Sequence, residues 1–350
     1  MKTLSYILLC FVTLCSGRLS AAQIDDLYLA DVPAVATTSE WQLEAFRQVL
    51  SKVSGQPDID KQPQIAEELR RAAGYIKQFE AVRSADGNRM RVLLDASKVN
   101  KLLQQHNIAV WGALRPDILV WLVQQQGSQR QFVRQSEHPL NVALQQTFSH
   151  SALPLMLPLY DIDDLLNLSE TDVWAGFWQP VSQASARYNA DVVIVATVEQ
   201  IQQEGLITYR LSWQRQDDGR VLRDELTADS EAGLMQAFAG KLAQQLAGRY
   251  ATVLSQTQSQ FVLQVNDLSD FAVIVQVQKL LQQLVGVSDV TISAFEPGVA
   301  RYLLSGTIDS NGLLNALRFN PQLRLQAASE QLQLDMSAQP VLATLEFIKP

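Results

Sequence analysis

Cysteine is nearly missing from this sequence. There are two in 350 residues, Cys10 and Cys15, both within the first fifteen. If the leading segment is removed, the rest of the chain carries none. That excludes a disulfide framework, a thiolate nucleophile and a cysteine metal site. Histidine is also scarce, with only His106, His138 and His150. His138 and His150 flank one expected helix and lie about 18 Å apart along it, too far to share a metal. No glycine-rich phosphate loop is present, and no G-x-S-x-G elbow surrounds a serine. Asp161, Asp163 and Asp164 lack the glycine and glutamate that a calcium loop places after them; carboxylates at a helix start explain them better. Neither metal nor cofactor is expected. Basic residues are in deficit, 28 against 36 acidic, for a net charge of −8. An acidic surface repels a phosphate backbone, so nucleic acid is not an expected partner.

Apolar runs are short too. The longest, at Tyr6–Leu14, falls well below the roughly 20 residues a membrane helix needs. It follows Lys2 and precedes small residues, Ser20 and Ala22, spaced as at a cleavage site. This is the form of a secretory signal peptide over 1–22, cut after Ala22. Leu9 and Leu14 precede the two cysteines, which departs from a lipoprotein signal. The expectation is a periplasmic protein, or, if the signal stays uncut, one tethered to the inner membrane. Removing Lys2 and Arg18 moves the net charge from −8 to −10.

The remaining length suits two or three domains, and the pattern divides it into three. In 23–112, Ser39 caps a helix with Trp41, Ala45, Phe46, Val49, Leu50 and Val53 on one face, ended by Gly55. Two strands, 76–83 and 89–94, meet at an Asp86-Gly87-Asn88 turn. With a strand at 27–35 this makes a small α/β module. In 113–256, "DILVWLVQQ" suits a strand buried on both faces, and "ADVVIVATVEQI" is a second. The order β-α-β-α-β-β-β-α gives a three-layer-like α/β module with a mixed sheet and an antiparallel edge. In 257–350, βαββαβ is the ferredoxin-like order, followed by an irregular apolar tail. The whole reads as a multi-domain chain, α/β and α+β. The glutamine pairs and triplets, such as Gln124–Gln126, read as uncharged solvated positions on helix surfaces.

Trp41, Trp121, Trp174 and Trp213 fall on apolar patterns and read as core. Trp111 and Trp178 sit near breaks in the chain. Trp111 and Arg115, at the step between the first two modules, are the candidate interaction or module-junction residues. In the junction reading, Arg115 pairs with an acidic neighbour and Trp111 seals the seam. No catalytic set is expected, although acidic pairs have no signature that would reveal a carboxylate hydrolase. The expectation is a non-catalytic cell-envelope protein that binds or assembles with another protein or the cell wall. The alternative is a small-molecule binder using the crevice at the strand ends of the middle sheet.

Four blocks in order, "EAFRQVLSKVSG", "WGALRPDILVWLV", "ARYNADVVIVATV" and "SWQRQDDGR", resemble the bacterial secreted family called domain of unknown function 2066. The step at Trp111, Gly112, Arg115 and Pro116 is the most specific piece. The family is uncharacterised, so the resemblance implies a class and no activity. The first two segments are more weakly similar to the amino-terminal modules of flagellar ring proteins. The middle one is similar to the amino-terminal domain of the Tol-system translocation protein. Both imply a scaffold in a Gram-negative envelope.

Overall fold

The computed structural model describes residues 24, 27–34, 37–84, 87–203, 205–217, 219–326 and 340–349. The expected signal peptide lies outside them, as does Asp86 of the expected turn. Three sheets with interspersed helices make up the chain, as the α/β and α+β reading anticipated.

The first sheet contains β1 (Leu29–Pro33), β2 (Ile76–Ser84) and β3 (Gly87–Leu94), antiparallel in the order β1-β3-β2. Helices α1 (Thr38–Ser54), α2 (Pro63–Leu69) and α3 (Ala96–Gln105) complete the layer. The stripe predicted for α1 is buried throughout. Thr37 rather than Ser39 precedes that helix, and Gly55 ends it in the left-handed conformation, φ 68°. Side chains of α1 close the free edge of β1. Lys52 Nζ donates to the Leu29 carbonyl at 2.9 Å, and Gln48 accepts from the Asp31 N–H at 3.2 Å. A capped edge does not template pairing with another strand.

The second sheet runs β5-β4-β7-β8-β9, with β6 beside β4. Its strands are β4 (Ile118–Gln126), β5 (Gln129–Phe132), β6 (Leu155–Met156), β7 (Val192–Gln203), β8 (Leu206–Asp217) and β9 (Arg220–Ala228). β4 and β7 are parallel, from Ile118↔Val192 to Gln125↔Glu199. β7, β8 and β9 form an antiparallel meander. Seven consecutive residues of β4 are buried because helices cover both faces. Ile118, Val120 and Leu122 meet α4 (Pro139–His150) and α8 (Glu231–Tyr250). Leu119, Trp121 and Val123 meet α6 (Glu170–Ala175) and α7 (Trp178–Ser185), with α5 (Ile162–Asn167) alongside α7. The helical stretch over 170–185 is broken at Gly176, φ 70°. A capping box between Ser169 and Asp172 starts its first half, satisfying otherwise orphaned N–H groups.

The third sheet has β10 (Ser259–Asn266), β11 (Val287–Glu296), β12 (Val299–Gly306), β13 (Leu323–Leu325) and β14 (Val341–Phe347), in the order β11-β12-β10-β14-β13. Helices α9 (Phe271–Gln282) and α10 (Ser310–Leu317) supply its core with Ile274, Val277, Leu281, Leu313 and Leu317. The tail expected to be irregular forms β14. It pairs parallel to β10 and antiparallel to β13, so it is inserted between the first strand of the βαββαβ order, β10, and its last, β13. Leu345 and Phe347, on alternate positions of β14, are buried in that core; period-two burial makes the segment a strand.

Candidate functional site

The three sheets meet around two connecting segments, residues 110–115 and 250–255. The segments bond to each other: Val110 and Thr252 exchange backbone hydrogen bonds at 2.7 and 3.0 Å. Successive residues of the first segment serve different cores. Val110 lies in the core of the first sheet, Trp111 in that of the second, and Leu114 packs against the third. From the second segment, Leu254 enters the first core, and Tyr250 meets Phe319 of the third unit edge-on at 4.8 Å.

Arg115 is the centre of this meeting point, with 0 % of its surface exposed. Its guanidinium has five N–H donors, and five backbone carbonyls surround it. Nε donates to Gly112 at 3.1 Å. Nη1 donates to Ser151 at 3.1 Å and Ala152 at 2.9 Å. Nη2 donates to Lys52 at 2.6 Å and Trp111 at 3.2 Å. The guanidinium carbon also lies 4.0 Å from the centre of the Trp111 ring. No carboxylate pairs with it among the described residues, so the expected acidic partner is replaced by helix ends. Lys52 sits in the last turn of α1, and Ser151 and Ala152 follow α4. Helix C-termini carry unsatisfied carbonyls and partial negative charge. Two of them converge on one cation. The backbone N–H of Trp111 donates to another end carbonyl of α1, that of Val53, at 2.7 Å. Burial pulls the Arg115 pKa down to about 9, which still leaves the cation in place at neutral pH. A surface contact role is closed to both residues by burial: Trp111 is 2 % exposed.

An open cleft of about 1090 Å³ lies between β1, α1 and the end of α4. Asp31, Lys52, Arg91 and His150 line it. Burial, then the charges of Lys52 and Arg89, hold the His150 pKa below its ordinary 6.5, with Asp31 opposing. In the unfolded chain the imidazole takes up its proton first as pH falls. The stability His150 contributes is therefore whole above about 6.5 and is lost as pH drops through its folded midpoint. An NMR titration is expected to show that midpoint below 6.5. In Lys52→Gln it should rise toward the ordinary value; an unmoved midpoint refutes the charge argument. A second pocket, where the third unit meets Trp111 and Leu114, holds only about 40 Å³, too little for an organic ligand.

The acidic triplet has a structural use. Asp161 caps α5, accepting from the Asp164 N–H at 3.1 Å. Asp164 is buried and accepts from the Tyr188 hydroxyl at 2.5 Å and the Tyr160 N–H at 2.8 Å. Burial and this carboxylate raise the Tyr188 pKa to about 12. Tyr188→Phe removes a donor to a buried charge and is expected to destabilise by about 2 kcal/mol, measurable by urea unfolding. No grouping of three or more histidine, aspartate or glutamate side chains able to hold a metal occurs among the described residues. His106 follows α3, and His138 and His150 stand at opposite ends of α4.

A cleft of about 620 Å³ lies beside the β4–β5 hairpin, at the carboxyl end of β4. Gln124 and Gln126 line it from a strand rather than from the helix surface expected of them. The sequence reading put a crevice at the strand ends of the middle sheet and named no residue of this hairpin as lining it. The signal was present as five glutamines within the eight residues 124–131, around Gly127-Ser128.

A family described as a domain of unknown function (DUF8605) matches residues 21–112, which contain the whole of the first sheet. It is an uncharacterised family, as anticipated, but not the one the four blocks resemble. No curated protein and no solved structure matches the chain.

Proposed function

We propose that this is an exported, non-catalytic protein of the bacterial cell envelope that binds or assembles with a protein partner there, working as one stiff body of three modules. The modules are taken as residues 23–112, 113–256 and 257–350. The junction carries the reading. Three cores share one crossing point, and a buried cation ties the ends of two helices to it, so the units present their outer faces in fixed relation. A hinged enzyme would need freedom at this point, whereas a scaffold gains from its loss.

The form of the first 22 residues supports export, and the family match begins beside the expected cut. The order of the resembling blocks, and the weaker likeness of the modules to ring and Tol components, support an envelope role. Among the described residues no helix is long and apolar enough to cross a membrane.

The test is crosslinking in the native host, followed by purification of the tagged, exported protein. A reproducible envelope partner, lost when the junction is loosened by Arg115→Met, is expected. Retention of Met1 on a cytosolic species, or no partner from crosslinked envelopes, overturns the proposal.

A further inference from the structure

We infer that the cleft beside the β4–β5 hairpin is a binding site for a neutral, polyhydroxylated ligand, a short saccharide. The register places Gln124 opposite Gln131 and Gln126 opposite Gln129. Registered partners share a face of a sheet, so the four amides form a two-by-two array on one face of the hairpin. Gln126 donates to Gln124 at 3.3 Å, and Gln131 to Gln129 at 3.4 Å. On β7, Gln200 and Gln202 follow buried Val198 at period two and are exposed, outside the lining of the cleft.

The chemistry selects the ligand. Each carboxamide offers two donors and an acceptor in one plane, which matches hydroxyls that both donate and accept. Amides carry no charge, so the array has little hold on an ion. The cation at the rim, Arg134, already pairs with Glu170 at 3.2 Å, which weakens any call for an anion. The polar lining also disfavours a hydrocarbon. At about 620 Å³ the cleft has the size of ordinary small-molecule sites.

The walls are built in advance. Gln124 is almost buried, and its amide donates to Glu231 at the start of α8 at 3.1 Å. Buried Asn141 of α4 donates to the carbonyls of Val133 and Gln135 at 3.0 and 2.7 Å, which holds the irregular segment after β5 against the helix. His138 Nδ1 accepts from the Leu140 N–H at 3.2 Å and fixes that ring at the rim. A site held this way has less ordering left to lose on binding.

The experiment is calorimetric titration of the purified chain with maltotriose, cellotriose and N,N′,N″-triacetylchitotriose, and with triglycine as a polar probe lacking hydroxyls. Saturable binding of at least one saccharide and none of triglycine is expected. Gln129 and Gln131 are exposed on an edge strand, so Gln129→Ala/Gln131→Ala should melt like the parent. Loss of their hydrogen bonds is expected to weaken the saccharide about tenfold. The inference is overturned if no saccharide binds at millimolar concentration, if triglycine binds equally well, or if a well-folded double variant binds as the parent does.

Discussion

Arg115→Met is expected to lower the stability of the chain by on the order of 3–5 kcal/mol, read from urea unfolding followed by tryptophan fluorescence and far-UV circular dichroism. Two effects compete. Burying a guanidinium is costly, and the fall of its pKa to about 9 reflects this. An apolar residue of similar length avoids that cost, which is why some buried ion pairs are replaced without loss. Here the acceptors are main-chain carbonyls at residues 52, 111, 112, 151 and 152. No substitution removes them with the cation. Each one left dry forfeits about 1 kcal/mol or more, so the sum exceeds what desolvation returns. Arg115→Lys is expected to fall between. An ammonium has three donors for five acceptors and cannot lie flat on the Trp111 ring. Loosening the crossing point should also split one unfolding transition into several and expose residues 110–116 to proteolysis. A loss below about 1 kcal/mol with a single sharp transition refutes this account of the junction.

The fate of Arg115 shows where sequence reading stops. The run after it was legible as a strand because burial on both faces leaves a continuous apolar signature in β4. The arginine was legible as a junction candidate because it follows Trp111 and Gly112 at a break. Its partners were not. They are backbone groups brought together by the ends of α1 and α4, and a carbonyl carries no side-chain signal. The same limit applies to β14. Val341, Ala343, Leu345 and Phe347 alternate with Leu342, Thr344 and Glu346, so a strand was readable there. Its insertion between β10 and β13 depends on tertiary pairing, which the alternation does not encode. The glutamines were misplaced for a local reason. Glutamine is a good helix former by propensity, and Gln124–Gln126 lie instead where an apolar strand runs out of its core into the open.

Gly55→Ala is expected to cost about 3 kcal/mol, from left-handed strain of about 1–2 and overpacking of about 1–3. Gly55 has φ 68° and ends α1 by donating its N–H to Ser51 at 2.8 Å. A side chain there must enter a left-handed backbone and an occupied space. The added methyl would lie 2.2 Å from the Ala247 Cβ of α8, 3.1 Å from the Ala243 carbonyl and 3.3 Å from the Trp111 ring. Two of these neighbours are a helix backbone and the Cβ fixed to it, and the third is an indole buried at the crossing point. None is a flexible tip that can swing away. The strain therefore passes to the seam between α1 and α8, where the first two cores touch. A double-mutant cycle separates the two costs. Ala247→Gly removes the closest overlap but adds about 1 kcal/mol of helix cost and leaves the backbone strain. The pair Gly55→Ala/Ala247→Gly should be less destabilised than the sum of its single variants by about 1–2 kcal/mol. Strict additivity would show that the loss comes from the turn alone and that α1 and α8 do not press together at Gly55.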